Sequence, residues 1–348
     1  MLNINEPLLA LILSCLPNVK ILNLSISEVD KYLAGMLAST LNNSDSDSRQ
    51  VLQKLEKATI TASISSRESG GLLNAAAIEP FYYLPNIHKL YISDVSTFAG
   101  EDSIRSLPRL RTSNVSHLAL DYTFLSCKGQ HPPLALKLPK DLISLSYHDA
   151  VRKKLIQREP FCSQSLYNLI HPYRNTLTYL DIQRTFIPGE RYQSTSVGSL
   201  LRNLTHLKLL RIYPEFARLY GARNNGRYRI EHRLPPSLQT LILCDVENEG
   251  FYHGLRYQLT ALASHAAKLL PHLELVLLQN KGGARRLTDV VPGYADAMNE
   301  VEQALTRARI TFCFDDGSSH LKKNGPLQQW KQGQWKQFRP REGLLWQF

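Results

Sequence analysis

Four stretches of the chain open on Leu-Pro and run on into a Leu-x-x-Leu-x-Leu pattern: LPNVKILNLSI (16–26), LPNIHKLYISDV (84–95), LPPSLQTLILCDV (234–246) and LPHLELVLLQN (270–280). Recurrence of so specific a pattern marks an internal repeat, and a repeat constrains the fold more than any other sequence feature. Further copies lie at Val115/Leu118/Leu120, Leu142/Leu145/Tyr147, Leu177/Leu180/Ile182 and Leu204/Leu207/Leu209, with a weaker one at Leu55/Ala58/Ile60. A last strand-like run, ARITFCF, alternates Ile310, Phe312 and Phe314. Taking the fourth motif position as the marker, the units stand at 22, 58, 90, 118, 145, 180, 207, 241, 276 and 310.

Apolar residues at the fourth and sixth positions put one face of a short strand in a core. Between the strands, VDKYLAGMLASTL (29–41), SLYNLIHPY (165–173), YQLTALASHAAKLL (257–270) and DAMNEVEQALTRA (296–308) carry apolar residues at three- and four-residue steps, the period of an amphipathic helix. The Leu-Pro pair fits the junction between such a segment and the next strand, because the residue before Pro is disfavoured in the α region. One strand and one helical segment per unit predict an α/β leucine-rich-repeat solenoid of about ten irregular units, with a parallel sheet on the concave side and helices on the convex side.

The units are longer and less even than the roughly 20 to 29 residues usual for such repeats. The position that holds a buried Asn or Cys in regular repeats is occupied by Ser27, Val95, Thr123, Thr185, Ile212 and Val246, so no asparagine ladder is expected there. We assign residues 1–314 to the solenoid. The tail 315–348 holds all three tryptophans, Trp330, Trp335 and Trp346, and is expected to be a basic, Trp-rich cap over the last repeats.

The stretches LLALILSCLPNVKIL, YYLPNIHKLYISDV, SLLRNLTHLKLL and RLPPSLQTLILCDV resemble the irregular repeats of fungal F-box/leucine-rich-repeat proteins, over about residues 8–315. Members of that family commonly carry an N-terminal F-box that docks on the Skp1 adaptor of a ubiquitin ligase. The resemblance therefore implies a Skp1-type adaptor as a partner and a role in recognising ligase substrates. This sequence opens directly in its first repeat, so only the recognition half is implied.

Third, fifth and seventh motif positions point away from the core. They give a candidate protein-binding face made of Lys89, Tyr91, His117, Asp121, His148, Tyr179, Asp181, His206 and Lys208. Aromatic anchors among scattered charges suit protein recognition; the bland alternative is a solvated sheet face. Further along, the same outward positions turn apolar at Leu210, Ile242, Leu275 and Leu277, which calls for a cover or a partner.

The chain carries a net charge of +11. That excess favours anionic partners without naming one. A basic stretch, FARLYGARNNGRYRIEHR (216–233), reads as an inserted loop in which Arg223, Arg227, Arg229 and Arg233 are candidate anion-binding residues, the bland alternative being a solvated surface loop. With the basic aromatic tail, that loop supports a second reading, an RNA or anion binder. The five cysteines are widely spaced and odd in number, which points to a reducing, intracellular setting, cytoplasmic or nuclear. Neither nucleotide-binding glycine motifs nor metalloprotease, EF-hand or nucleophile-elbow signatures are present, so no enzyme, cofactor or metal is expected. Residues 8–16 are apolar but preceded by Glu6 and no basic residue, unlike a signal peptide, and no stretch is long enough to span a membrane.

Overall fold

Alternation of buried and exposed residues is clear in the first repeat strands. In β1 (Ile21–Ile26) the residues Leu22, Leu24 and Ile26 are buried and those between them are exposed. The same rhythm recurs in β2 (Lys57–Ala62), whereas in β4 (Lys89–Ser93), β6 (His117–Asp121), β7 (Ser144–Asp149) and β8 (Tyr179–Arg184) the core-facing residues are buried and so are outward ones such as Ser93, Ala119, Ser146 and Asp181. The computed structural model describes residues 6–26, 32–33, 35–37, 51–62, 73–74, 78–96, 111–121, 138–149, 170–184, 201–212, 229–244, 249–279 and 294–315. The chain divides into two compact units, Met1–Ser196 and Val197–Phe348.

In the first unit the six repeat strands are parallel and adjacent in chain order, with β1 beside β2, then β4, β6, β7 and β8. Their register aligns the markers Leu22, Ala58, Leu90, Leu118, Leu145 and Leu180 in one row. The weak copy at Leu55/Ala58/Ile60 is therefore a full member of the sheet. In the second unit β9 (Leu209–Ile212), β10 (Thr240–Cys244), β11 (Leu275–Gln279) and β12 (Thr311–Asp315) follow the same parallel order. This is the expected α/β leucine-rich-repeat architecture, in irregular form.

Two registers differ from the sequence expectation. In SLLRNLTHLKLLRI the leucines fall at 201, 204, 207 and 210, so the motif can be read in two phases. The structure pairs Leu210, not Leu207, with Leu241. Leu210 is thus a core residue with no exposed surface, not an outward one, and Leu207 takes the first motif position. In the last strand Phe312 rather than Ile310 stands opposite Val276.

Helices cover the core face. α1 (Glu6–Ser14) precedes β1. α2 (Glu249–Leu269) runs well beyond its predicted start and buries Leu255, Leu259, Leu262 and Ala266. α3 (Tyr294–Arg307) buries Ala297, Met298, Val301 and Leu305 and is tied to α2 by an Arg256–Glu300 ion pair. Elsewhere the described crossovers contain short 3-10 turns, Glu79–Tyr83, His171–Tyr173 and Ile230–His232. The first of these ends at Leu84, whose extended backbone (ψ 134) is what the following Pro85 requires. The predicted helix at 29–41 is described only at 32–33 and 35–37, where it is helical.

A polar ladder exists, but before each strand rather than after it. The carbonyls of Lys20, Glu56, His88, Ser116 and Ile143 each accept two successive N–H groups from the start of the next repeat strand. Side chains four residues ahead of the marker add rungs. Asn86 donates to the Gln53 carbonyl (2.6 Å) and Asn114 to that of Pro85 (2.8 Å). Thr176 donates to the Leu142 carbonyl and Ser237 to that of Leu207. These bonds satisfy backbone groups that a regular asparagine ladder would have served.

One departure sits where β4 ends. Asp94 is buried in the left-handed region (φ 61), accepts from Ser93 Oγ (2.7 Å) and donates its N–H to the Asp121 carbonyl. Asp tolerates that conformation better than most side chains. The bend redirects the chain into β5 (Val95–Ser96), which pairs with β3 (Leu73–Asn74) in a small separate sheet.

Candidate functional site

The sheet face opposite the core, here the open face, carries the predicted recognition residues. In the first unit it is a two-row lattice. The fifth-position row runs Tyr91, Ala119, Ser146, Asp181 across β4, β6, β7 and β8. The seventh-position row supplies Ser93, Asp121, His148 and Gln183. Ala119 and Ser146 are small, which leaves room above them for the longer side chains on either side.

Those side chains form one continuous chain of hydrogen bonds over four strands. Tyr91 Oη donates to Asp121 Oδ2 (2.7 Å). His148 lies between two carboxylates, with Nδ1 at 3.1 Å from Asp121 Oδ1 and Nε2 at 3.3 Å from Asp181 Oδ2. Asp181 has no exposed surface and accepts twice from Gln183 Nε2 (2.9 and 3.0 Å), with Ser146 Oγ and Tyr179 Oη at 3.4 and 3.5 Å. A carboxylate so deeply buried requires this many donors, because unpaired it would be very costly.

Electrostatics follow from the geometry. Burial pulls the His148 imidazole towards the neutral form, but its hydrogen bonds to Asp121 and Asp181 and their charges outweigh it, and its pKa is raised. The His148 ring is therefore biased towards its cationic form between two carboxylates. Burial, and then the Asp121 charge, push the Tyr91 phenol far above its ordinary value, so it remains a donor.

Ser146 Oγ also lies 3.3 Å from His148 Nε2, and His148 Nδ1 faces Asp121. Atom for atom this is the connectivity of a Ser-His-Asp triad. The second carboxylate changes its chemistry. A catalytic imidazole must be neutral at Nε2 to take the serine proton, whereas here Asp181 competes for that nitrogen and favours the protonated ring. Ser146 is itself buried and within reach of Asp181.

The remaining predicted residues fall elsewhere. Lys89 and His117 stand on the same open face, at the starts of β4 and β6. His206 and Lys208 belong to the second unit, precede β9 and are exposed. Of the arginine loop, Arg223 and Arg227 lie outside the described residues. Arg229 Nη1 is 3.7 Å from Glu231 Oε1, and Arg233 is buried. The tail cap also lies outside the described residues. Ser146, Gln183 and Ser93 were not singled out from sequence. Ser146 and Gln183 are small or neutral residues at outward positions, and the only signal for them is the strand register itself.

The second unit's open face differs. Ile242, Leu275 and Leu277 are buried although they point away from the core, and so are Leu209 and Cys313. Arg211 crosses this face, donating from Nε to Cys244 Sγ (3.3 Å) and from Nη2 to Gln279 Oε1 (2.6 Å). Cys15 is exposed, and Cys244 and Cys313 are buried. Among the described residues no group of three or more His, Cys, Asp or Glu side chains could hold a metal ion, and no helix is long and apolar enough to cross a membrane.

No family model and no curated protein sequence matches the chain. Among solved structures it resembles human 5T4 (Wnt-activated inhibitory factor 1, trophoblast glycoprotein) at 15% identity and a TM-score of 0.34, over 70% of this chain and 77% of that one. A likeness so distant carries nothing about function.

Proposed function

We propose that the open face of the first unit is a non-enzymatic recognition surface for a protein partner. The observation that carries this reading is the Tyr91–Asp121–His148–Asp181 chain, a preformed lattice of paired charges with half-buried tyrosines at both ends. Pre-organised polar groups contribute specificity at little ordering cost, and Tyr supplies contact area. The double clasp on His148 supports binding over catalysis. On the resemblance of its repeats, the chain serves as the substrate-recognition part of an F-box-type ubiquitin ligase receptor, inside the cell. We propose further that the Trp-rich tail, 315–348, is a cap over the last repeats.

The test is affinity purification from native extract with wild-type chain and with Tyr91→Ala/His117→Ala/Tyr179→Ala, each with and without nuclease. One reproducible protein held by wild type, lost by the variant and insensitive to nuclease is the expected result, with circular dichroism showing that the variant is folded. Recovery that disappears with nuclease transfers the function to nucleic-acid binding and contradicts the proposal.

A further inference from the structure

α1 is apolar on two sides. Leu13 is buried in the core, while Leu8, Leu11, Ile12 and Leu16 stand 38–62% exposed. Counted from Leu8, the others follow at three, four and eight residues, the spacing of a single helix face. Residues 15–20 connect α1 to β1, and beyond them Ile21 is exposed as well. These five side chains leave on the order of 400 Å² of apolar surface in water, a patch size that on a monomer is often functional.

The same connection leads to an open sheet edge. β1 is the end strand of its sheet and, among the described residues, pairs with β2 only. On the β2 side the Lys20 carbonyl accepts from the N–H groups of Glu56 and Lys57. Paired groups alternate along a parallel strand, so the N–H and C=O of Ile21, Asn23 and Ser25 face away from β2. Edge strands are ordinarily blunted by Lys, Pro or a bulge. ILNLSI has no charge and no proline, and its pairing with β2 runs residue for residue without a bulge.

Charge selects the occupant. The chain carries +11, so two copies repel one another over most of their surface. Pro7 to Val19 and Ile21 to Ser27 hold no charged residue, and Lys20 between them is paired with Glu56 at 3.1 Å. Two copies therefore meet here without like-charge contact. An extended peptide would pair with the edge and leave the helix stripe in water, whereas a second copy supplies both elements. About a two-fold axis perpendicular to the sheet, β1 meets β1 antiparallel and α1 meets α1. The two patches and the strand edges together reach roughly 1,200 Å², where specific interfaces begin.

We propose that the chain forms a two-fold dimer through α1 and the outer edge of β1. β2 separates β1 from β4, so the dimer leaves the lattice that starts at Tyr91 open, and the proposal stands apart from the recognition reading.

Sedimentation equilibrium of the full chain is expected to show dimers at micromolar concentration, not weakened by added salt because the contact is apolar. Leu11→Lys/Ile12→Lys sets like charges against each other in the contact and is expected to raise the dimer dissociation constant about a hundredfold. Asn23→Pro removes one outward N–H and no bond to β2, and is expected to raise it about tenfold. Circular dichroism checks that both variants fold. A short bismaleimide is expected to join two wild-type chains through Cys15, which is exposed at the end of the stripe, and Cys15→Ser to abolish that crosslink. A monomer at all concentrations, a dimer that weakens as salt is raised, or a dimer indifferent to either variant overturns the proposal.

Discussion

The open faces of the two units share one backbone geometry and are used in opposite ways. Both consist of outward positions on parallel strands in the same register. In the first unit these positions hold Tyr, Asp, His, Ser and Gln, which bond sideways to one another across four strands. In the second they hold Leu209, Ile242, Leu275 and Leu277, all removed from water. Burying a Leu or Ile side chain stabilises by about 1.5–3 kcal/mol. A buried ion-pair network contributes far less net stability and is costly to break. The contrast therefore separates labour: the second face stabilises the fold, and the first holds a defined arrangement of charge at the surface.

The sharpest way to break that contrast is to remove the cation from the clasp. His148→Ala leaves Asp121 and the buried Asp181 uncompensated and is expected to cost about 4 kcal/mol in urea unfolding. A loss below about 1 kcal/mol would mean that the lattice is loose and solvated. In the second unit, Leu210→Ala is expected to cost about 3 kcal/mol because the side chain fills core. Lys208→Ala, two residues away and exposed, is expected to fall within about 0.5 kcal/mol. Reversal of that order would restore the outward phase of Leu210 read from sequence.

Finer effects sharpen the comparison further. Tyr91→Phe removes one hydrogen bond to a carboxylate and is expected to cost about 1.5 kcal/mol. The pH dependence follows from the raised His148 pKa. The stabilisation is fully present below the unfolded value of about 6.5 and is lost as pH rises through the folded value. The stability difference between wild type and His148→Gln is therefore expected to shrink as pH is raised from 6.5. No such trend is expected for Leu210→Ala. The smallest effect is assigned to Asn86→Ala, an exposed rung between repeats, at about 0.5 kcal/mol.

Position in the stack, as much as residue type, decides burial. The same Leu-Pro pair buries Leu84 and Leu270 almost completely, yet Leu16 of the first repeat is 43% exposed. Leu8, Leu11 and Ile12 form an exposed stripe on α1 beside it.

The repeat pattern made the fold legible because spacing alone encodes a strand with one buried face. Nine of the ten repeats were located to within the motif phase or two residues of it. The run from Leu201 to Leu210 was misread because leucine every three residues satisfies two phases equally, and only pairing with β10 selects one. The recognition face was half legible. Tyr91, Asp121, His148, Tyr179 and Asp181 follow from counting outward positions. Their union into one lattice does not, because it depends on lateral neighbours about thirty residues apart in sequence. Ser146 and Gln183 carry no signal of their own. The rungs at Asn86 and Asn114 escaped notice because the ladder has moved ahead of the strand.

The most direct test of the central claim, that the first unit's open face is a charge-paired binding lattice rather than a catalytic triad, is the protonation state of His148. Nitrogen-15 NMR of the histidine-labelled full chain, with the signal assigned by His148→Gln, reads it at pH 7. The account predicts an imidazolium with protons on both ring nitrogens, held to pH values above those of an ordinary histidine. A neutral imidazole at pH 7, protonated on Nδ1 only and free to accept from Ser146 at Nε2, would contradict it.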